Sequence, residues 1–137
     1  MGRPVTDRAA MVAQMSPSLD DEIWRFVAVS PGTAPQLLGA AIATFREEEG
    51  VSAIVPAALA DELGESGPDF QCITLRTNSD LEGVGLTASV ASALADAGIA
   101  CNMVAALHHD HCFVPAPRAN DALELLEDLS SAARGDD

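Results

Sequence analysis

The stretch that decides the fold runs from Gly83 to Pro115, GVGLTASVASALADAGIACNMVAALHHDHCFVP. It opens on a Gly-rich turn. Leu86, Val90, Ala93, Leu94 and Ala97 then fall on one helical face, with Ser89, Ser92 and Asp96 opposite, the pattern of an amphipathic helix. Gly98 stands where a glycine ends a helix. Ile99 to Leu107 is apolar and reads as a strand covered on both sides. His108 to Asp110 makes a turn, and Cys112-Phe113-Val114 forms the next strand. Upstream, Phe70 to Arg76 is a further strand, and downstream Pro117 starts a helix whose face carries Ala119, Ala122, Leu123, Leu126 and Leu129. The order is βαββα. At its first turn, glycines let a ligand approach bare backbone, and the helix start offers unpaired N–H groups suited to a carboxylate.

The first half carries a fainter copy of this order. Thr6 caps a short helix over Ala9 to Ala13, stopped near Pro17, and Ile23 to Val29 alternates as a half-buried strand. Val51 to Val55 is a strand, Pro56 opens a helix to Leu63, and Gly64 to Asp69 reads as a linker. Between them, Leu37, Leu38, Ala41, Ile42 and Phe45 recur at helical spacing, so pattern alone favours a helix over 35–49. Both halves end in a short strand and a Pro-initiated helix (Val55-Pro56-Ala57 and Val114-Pro115-Ala116). Each is small for an independent core, so a shared sheet or core is expected.

Composition narrows the function classes. The chain of 137 residues is 48% hydrophobic and carries 21 acidic against 7 basic residues, a net charge of -14. All the basic residues are Arg. So acidic a surface repels phosphate backbones and anionic membranes, which argues against nucleic-acid and membrane partners. No apolar run is long enough to cross a bilayer, and MGRPVTDRAAM lacks a signal-type apolar core. The expectation is a cytoplasmic protein. Three cysteines, Cys72, Cys101 and Cys112, lie in apolar runs and read as buried thiols rather than a disulfide framework.

Two segments carry a family resemblance. The run from Ile73 to Pro115, ITLRTNSDLEGVGLTASVASALADAGIACNMVAALHHDHCFVP, and the run from Phe45 to Pro56, FREEEGVSAIVP, closely resemble small bacterial stand-alone proteins with two ACT-like domains. The resemblance covers about residues 20 to 130. It implies an α+β chain of tandem ferredoxin-like βαββα units, with antiparallel sheets and helices packed on one face. The implied domains are an N-terminal helical extension (1–19), a first ACT-like domain (20–68), a second (69–132) and a flexible tail (133–137). It also implies that Ile42 to Arg46 is a strand paired with Val51 to Val55, leaving a short helix over Pro35 to Leu38.

On the same grounds the chain is expected to be a non-catalytic regulatory protein, a homodimer, binding a small effector such as an amino acid at a domain or subunit interface. No cofactor and no catalytic residue are implied. The effector site carried over is Asp80, Leu81, Glu82, Gly83, Val84, Gly85 and Leu86, faced by Asn102, Met103 and Val104, with Asp80 or Glu82 receiving an amino group. Two other readings stand beside it. One is a ligand-free interaction module. The other is a metal site on His108, His109, Asp110 and His111; neighbouring strand residues point to opposite faces, which disfavours it, and a plain hairpin with Asp110 bonded to local backbone accounts for the same residues. Glu47, Glu48 and Glu49 read as a solvated turn, and Trp24, Phe26 and Phe113 as packing residues.

Overall fold

A computed structural model describes residues 8–76 and 85–135 of the chain. They form two compact units. One is continuous, Asp21–Gln71; the other joins residues up to Asp20 with those from Cys72 onward.

The continuous unit holds β2 (Trp24–Ala28), α2 (Ala34–Ala40), β3 (Ala43–Glu47), β4 (Gly50–Pro56) and α3 (Ala57–Glu62), after a first helix and strand that belong to the other unit. Its strands lie in the order β3-β4-β2, all antiparallel, with Phe45 opposite Ser52 and Phe26 opposite Ile54. Val27, Ala53 and Val55 present one face to Leu37 of α2 and Ala60 of α3. The segment with competing helix and strand expectations is split as the family resemblance implies. Pro35 sits in the first turn of α2, but Ala41 turns extended and the Ile42 amide donates to the Ile54 carbonyl at 2.9 Å. Pairing with β4 thus overrides the helical spacing of Ile42 and Phe45. Arg25, only 6% exposed, donates to the carboxylates of Asp61 and Asp69 and to the Glu65 carbonyl, so it fastens the 64–69 segment and α3 to β2. Trp24 is buried opposite Phe70, and the Phe26 ring meets that of Phe70 edge-on at 5.1 Å.

The discontinuous unit contains α1 (Arg8–Ala13), β1 (Pro17–Leu19), most of β5 (Phe70–Leu75), α4 (Leu86–Asp96), β6 (Asn102–Ala105), β7 (Asp110–Pro115), a 3-10 turn (Ala116–Arg118) and α5 (Ala119–Arg134). Strand order is β1-β5-β7-β6. Ile73, Leu75, Cys112 and Val114 point from the sheet into a core filled by Leu86, Val90 and Leu94 of α4 and Ala119, Ala122 and Leu126 of α5. Each fully buried Leu or Val there contributes roughly 1.5–3 kcal/mol. This is the βαββα order, with helices on one face.

Met11, Val12 and Met15 of the N-terminal segment are members of that core. The free carbonyl at the end of α1 is satisfied by α5: Ser130 Oγ and Arg134 Nη1 both donate to the Ala13 carbonyl, at 3.0 and 3.1 Å. The helix α5 therefore continues through Arg134 and is capped by Gly135, whereas a tail was expected from residue 133; residues 136 and 137 lie outside the described ones.

Three expectations for the decisive stretch are corrected. The strand expected over Ile99 to Leu107 is only Asn102–Ala105, and both its ends are exposed because β6 is the last strand in the order. Ile99 belongs instead to the helix stop. The Ile99 amide donates to the Leu94 carbonyl and the Gly98 amide to the Ala95 carbonyl, with Gly98 at φ +73°, a Schellman motif. Ala97, expected on the apolar face of α4, is exposed at the cap, where its carbonyl accepts from Arg118. The last helix starts later than Pro117, after the 3-10 turn.

Candidate functional site

The loop expected to hold an effector falls largely outside the described residues: this applies to Asp80, Leu81, Glu82, Gly83 and Val84. Gly85 and Leu86 are described and set the start of α4. Gly85 is the N-cap residue, at φ +113° and ψ -20°, a conformation that side chains other than hydrogen strain to adopt. No side chain caps the helix, so its first amides keep their donors for another partner. Only at the fourth residue does the ladder begin, where the Ser89 amide donates to the Gly85 carbonyl at 2.9 Å.

The space that a Cβ at Gly85 would fill is occupied by Arg8. Its Cγ and Cδ lie 2.8 Å from that position. The Arg8 stem crosses the glycine, and its Nε donates to Ser89 Oγ at 2.8 Å. Arg8 thus brings a permanent positive charge to the positive end of the α4 dipole, within a chain of net charge -14. Nothing in the sequence linked residue 8 to residue 85. The only legible clue was an Arg on a short helix with no acidic partner at i+3 or i+4.

Of the remaining expected residues, Leu86 is buried and its side chain serves the core. Met103 is half-buried and packs against the same core, opposite Cys112. Asn102 is exposed and donates through Nδ2 to the Phe113 carbonyl at 3.3 Å. Val104 is half-buried, opposite His111. Leu86 and Met103 therefore offer backbone rather than side chain to any ligand.

The His-rich turn has a different construction. The Ala106 amide donates to the His109 carbonyl at 3.1 Å, closing the β6–β7 connection, and Asp110 is the first residue of β7, paired with Ala105 rather than bonded within the turn. His111 Nδ1 is hydrogen-bonded to Thr74 Oγ1 at 3.1 Å. Burial pushes the His111 imidazole below its ordinary value, and burial likewise raises the Asp110 carboxyl. The His108 and His109 rings stand 6.5 Å apart and tilted. Among the described residues, no three His, Cys, Asp or Glu side chains converge in a metal-ligand set.

Elsewhere among the described residues, two hollows stand out. One, of about 310 Å³, lies between the α1–β1 turn and the end of α5, beside Gln14, Ser16, Glu127 and Arg134. The other, about 480 Å³, is rimmed by Asp21, Glu22, Asp61 and Asp69 in the continuous unit. Two of its four carboxylates are already held by Arg25. Neither hollow is lined by Gly85 or by residues 102–104.

The two βαββα units correspond to two matches with models of the ACT domain, over residues 4–71 and 65–128. The chain belongs to the ACT-domain family. No curated protein matches it. Among solved structures, a relative from Vibrio cholerae, a protein of unknown function described as a possible transport protein, is 37% identical. That match covers 89% of this chain and 94% of the relative, with a TM-score of 0.78. The ligand-free regulatory subunit of aspartate kinase from Thermus thermophilus has a TM-score of 0.62 at 15% identity, covering 85% of this chain and 97% of that one. A protein from Agrobacterium tumefaciens gives 0.61 at 16% identity, covering 83% and 87%. At these lower identities the likeness concerns the fold alone. Among the described residues, no helix of this ACT-domain chain is long and apolar enough to cross a membrane.

Proposed function

We propose that this chain is a non-catalytic regulatory ACT-domain protein whose effector is a small carboxylate, such as an amino acid, held at the start of α4. The observation that carries the reading is Arg8 lying across Gly85, next to the uncapped amides of α4. An effector carboxylate there meets the helix N-terminus and a guanidinium whose Nη groups have no partner among the described residues, a fork that matches a carboxylate geometrically. Asp80 or Glu82 receives the amino group, and the Asn102–Val104 backbone forms the facing rim. Binding changes the protein's state only through a difference in affinity between its conformations.

The reading includes two ACT-like domains at 20–68 and 69–132, a cytoplasmic location and a homodimer. Support for self-association comes from β3, the edge strand of the continuous unit, which exposes 72% of Phe45 beside Ile42. The regulatory assignment draws its support from the family and from the aspartate kinase regulatory subunit.

Thermal-shift screening against the twenty amino acids at millimolar concentration tests the reading. At least one is expected to raise the midpoint, by the equivalent of about 2.7 kcal/mol when present at 100 times its Kd. Arg8→Gln is expected to weaken that ligand roughly tenfold or more, the worth of one charge-assisted hydrogen bond. A flat response to all twenty contradicts the proposal.

A further inference from the structure

The sulfurs of Cys101 and Cys112 are 3.4 Å apart. The register of β6 and β7 pairs Asn102 with Phe113 and Met103 with Cys112. Extended by one residue, it sets Val114 directly opposite Cys101 and Cys112 diagonally across on the same face, where the two thiols reach each other. The two residues are not equivalent. Cys112 is fully buried within β7, whereas Cys101 is half-buried and sits just before the first residue of β6, outside the ladder. The third cysteine is engaged elsewhere: Cys72 Sγ contacts Thr74 Oγ1 at 3.9 Å and His111 Nδ1 at 4.0 Å.

We infer that Cys101 and Cys112 are a reversible dithiol–disulfide pair, with Cys101 as the attacking thiol and Cys112 as the resolving one. The sulfurs need to close by roughly 1.4 Å to reach the bond length of about 2.05 Å. Cys101 has that freedom because it precedes β6 and its backbone makes no ladder hydrogen bond among the described residues. Contact with Cys112 Sγ lowers the Cys101 thiol from its ordinary value, while the same contact and burial raise Cys112. The asymmetry favours Cys101 as the thiolate.

The oxidant is a low-molecular-weight disulfide, RS–SR. The Cys101 thiolate attacks one of its sulfurs, and the S–S bond breaks with release of RS⁻, leaving Cys101–S–SR. Cys112 gives up its proton and attacks the Cys101 sulfur, and a second RS⁻ departs. In total, the two protein thiols lose two protons and two electrons, and RS–SR becomes two RSH. The product staples the approach to β6 onto β7, joining residues 11 positions apart in the chain.

The test uses the native full chain incubated with oxidised glutathione, quenched by alkylation and analysed by intact mass and peptide mapping. Wild type is expected to lose two hydrogens and to fall from three titratable thiols to one, with Cys101 linked to Cys112. Cys112→Ala is expected to stop at a stable glutathione adduct on Cys101, and Cys101→Ser to take up neither adduct nor internal bond. Cys72→Ala, which leaves the pair untouched, is expected to form the bond as wild type does. Retention of three thiols by the native chain overturns the inference. So does a stable mixed disulfide in wild type, a bond involving Cys72, or pairing only in denaturant.

Discussion

Replacing Gly85 by alanine places a methyl group where the Arg8 stem lies, and its cost has two separable parts. The first is local: φ of +113° lies in a region where a non-glycine residue costs about 1–3 kcal/mol. The second is a contact. The new Cβ would sit 2.8 Å from Arg8 Cγ and Cδ, closer than carbon atoms approach one another. The stem is flexible, so it swings away, and the exposed Arg8–Ser89 hydrogen bond is lost for about 1 kcal/mol. The expected total is about 2–4 kcal/mol, a fall in Tm of roughly 8–16 °C at about 4 °C per kcal/mol for this size. Urea unfolding of wild type, Gly85→Ala, Arg8→Ala and the double variant separates the two parts. With Arg8 already truncated, Gly85→Ala should cost only the backbone strain, about 1 kcal/mol less than in wild type. Costs that simply add, within about 0.5 kcal/mol, refute the contact and with it the role given to Arg8.

Other substitutions probe the frame around the site. Arg25→Met should destabilise the chain by about 1–3 kcal/mol in urea unfolding, since three acceptors lose a donor. The low end is favoured because the Asp61 and Asp69 side chains are 69% and 44% exposed. Leu126→Ala empties a fully buried position of α5 and should cost about 2–5 kcal/mol by the same measurement. For His111, whose folded value is depressed by burial, the unfolded chain binds the proton more readily. Its contribution is therefore full above the ordinary value of 6.5 and is lost as pH falls below it. His111→Asn should lose less Tm than wild type between pH 7 and pH 5; an equal or larger loss contradicts this assignment.

The decisive stretch was legible because its signals agree. The apolar spacing of Leu86, Val90 and Leu94, the glycine after Ala97 and the Pro after Val114 all point to the same boundaries. Where signals conflicted, tertiary pairing won. Ile42 and Phe45 keep helical spacing with Leu38, yet the Ile42 amide bonds to Ile54 of β4 and Phe45 lies in the strand β3 paired with it. Spacing also could not show that Met11, Val12 and Met15 share a core with the residues from Cys72 onward. That assignment depends on α5 meeting the end of α1 through Ser130 and Arg134. The site was legible only in part for the same reason. Gly85 stood out as a glycine before a helix, but its partner Arg8 lies 77 positions away in sequence. Cys72 and Cys112 are buried as their apolar runs imply, whereas Cys101 is only half-buried ahead of β6, and the closeness of Cys101 to Cys112 required the β6–β7 register.

The most direct test of an effector at the start of α4 is a nitrogen-15 NMR titration of the full chain with the amino acid that gives the largest thermal shift. The account expects the amides of Gly85 to Ser89 to move first and furthest, with Asn102 to Val104 following, and expects Arg8→Gln to need roughly tenfold more ligand or more for the same movement. Shifts confined to the hollow beside Asp61 and Asp69, or to the one beside Gln14 and Glu127, with Gly85 to Ser89 unmoved, would contradict it.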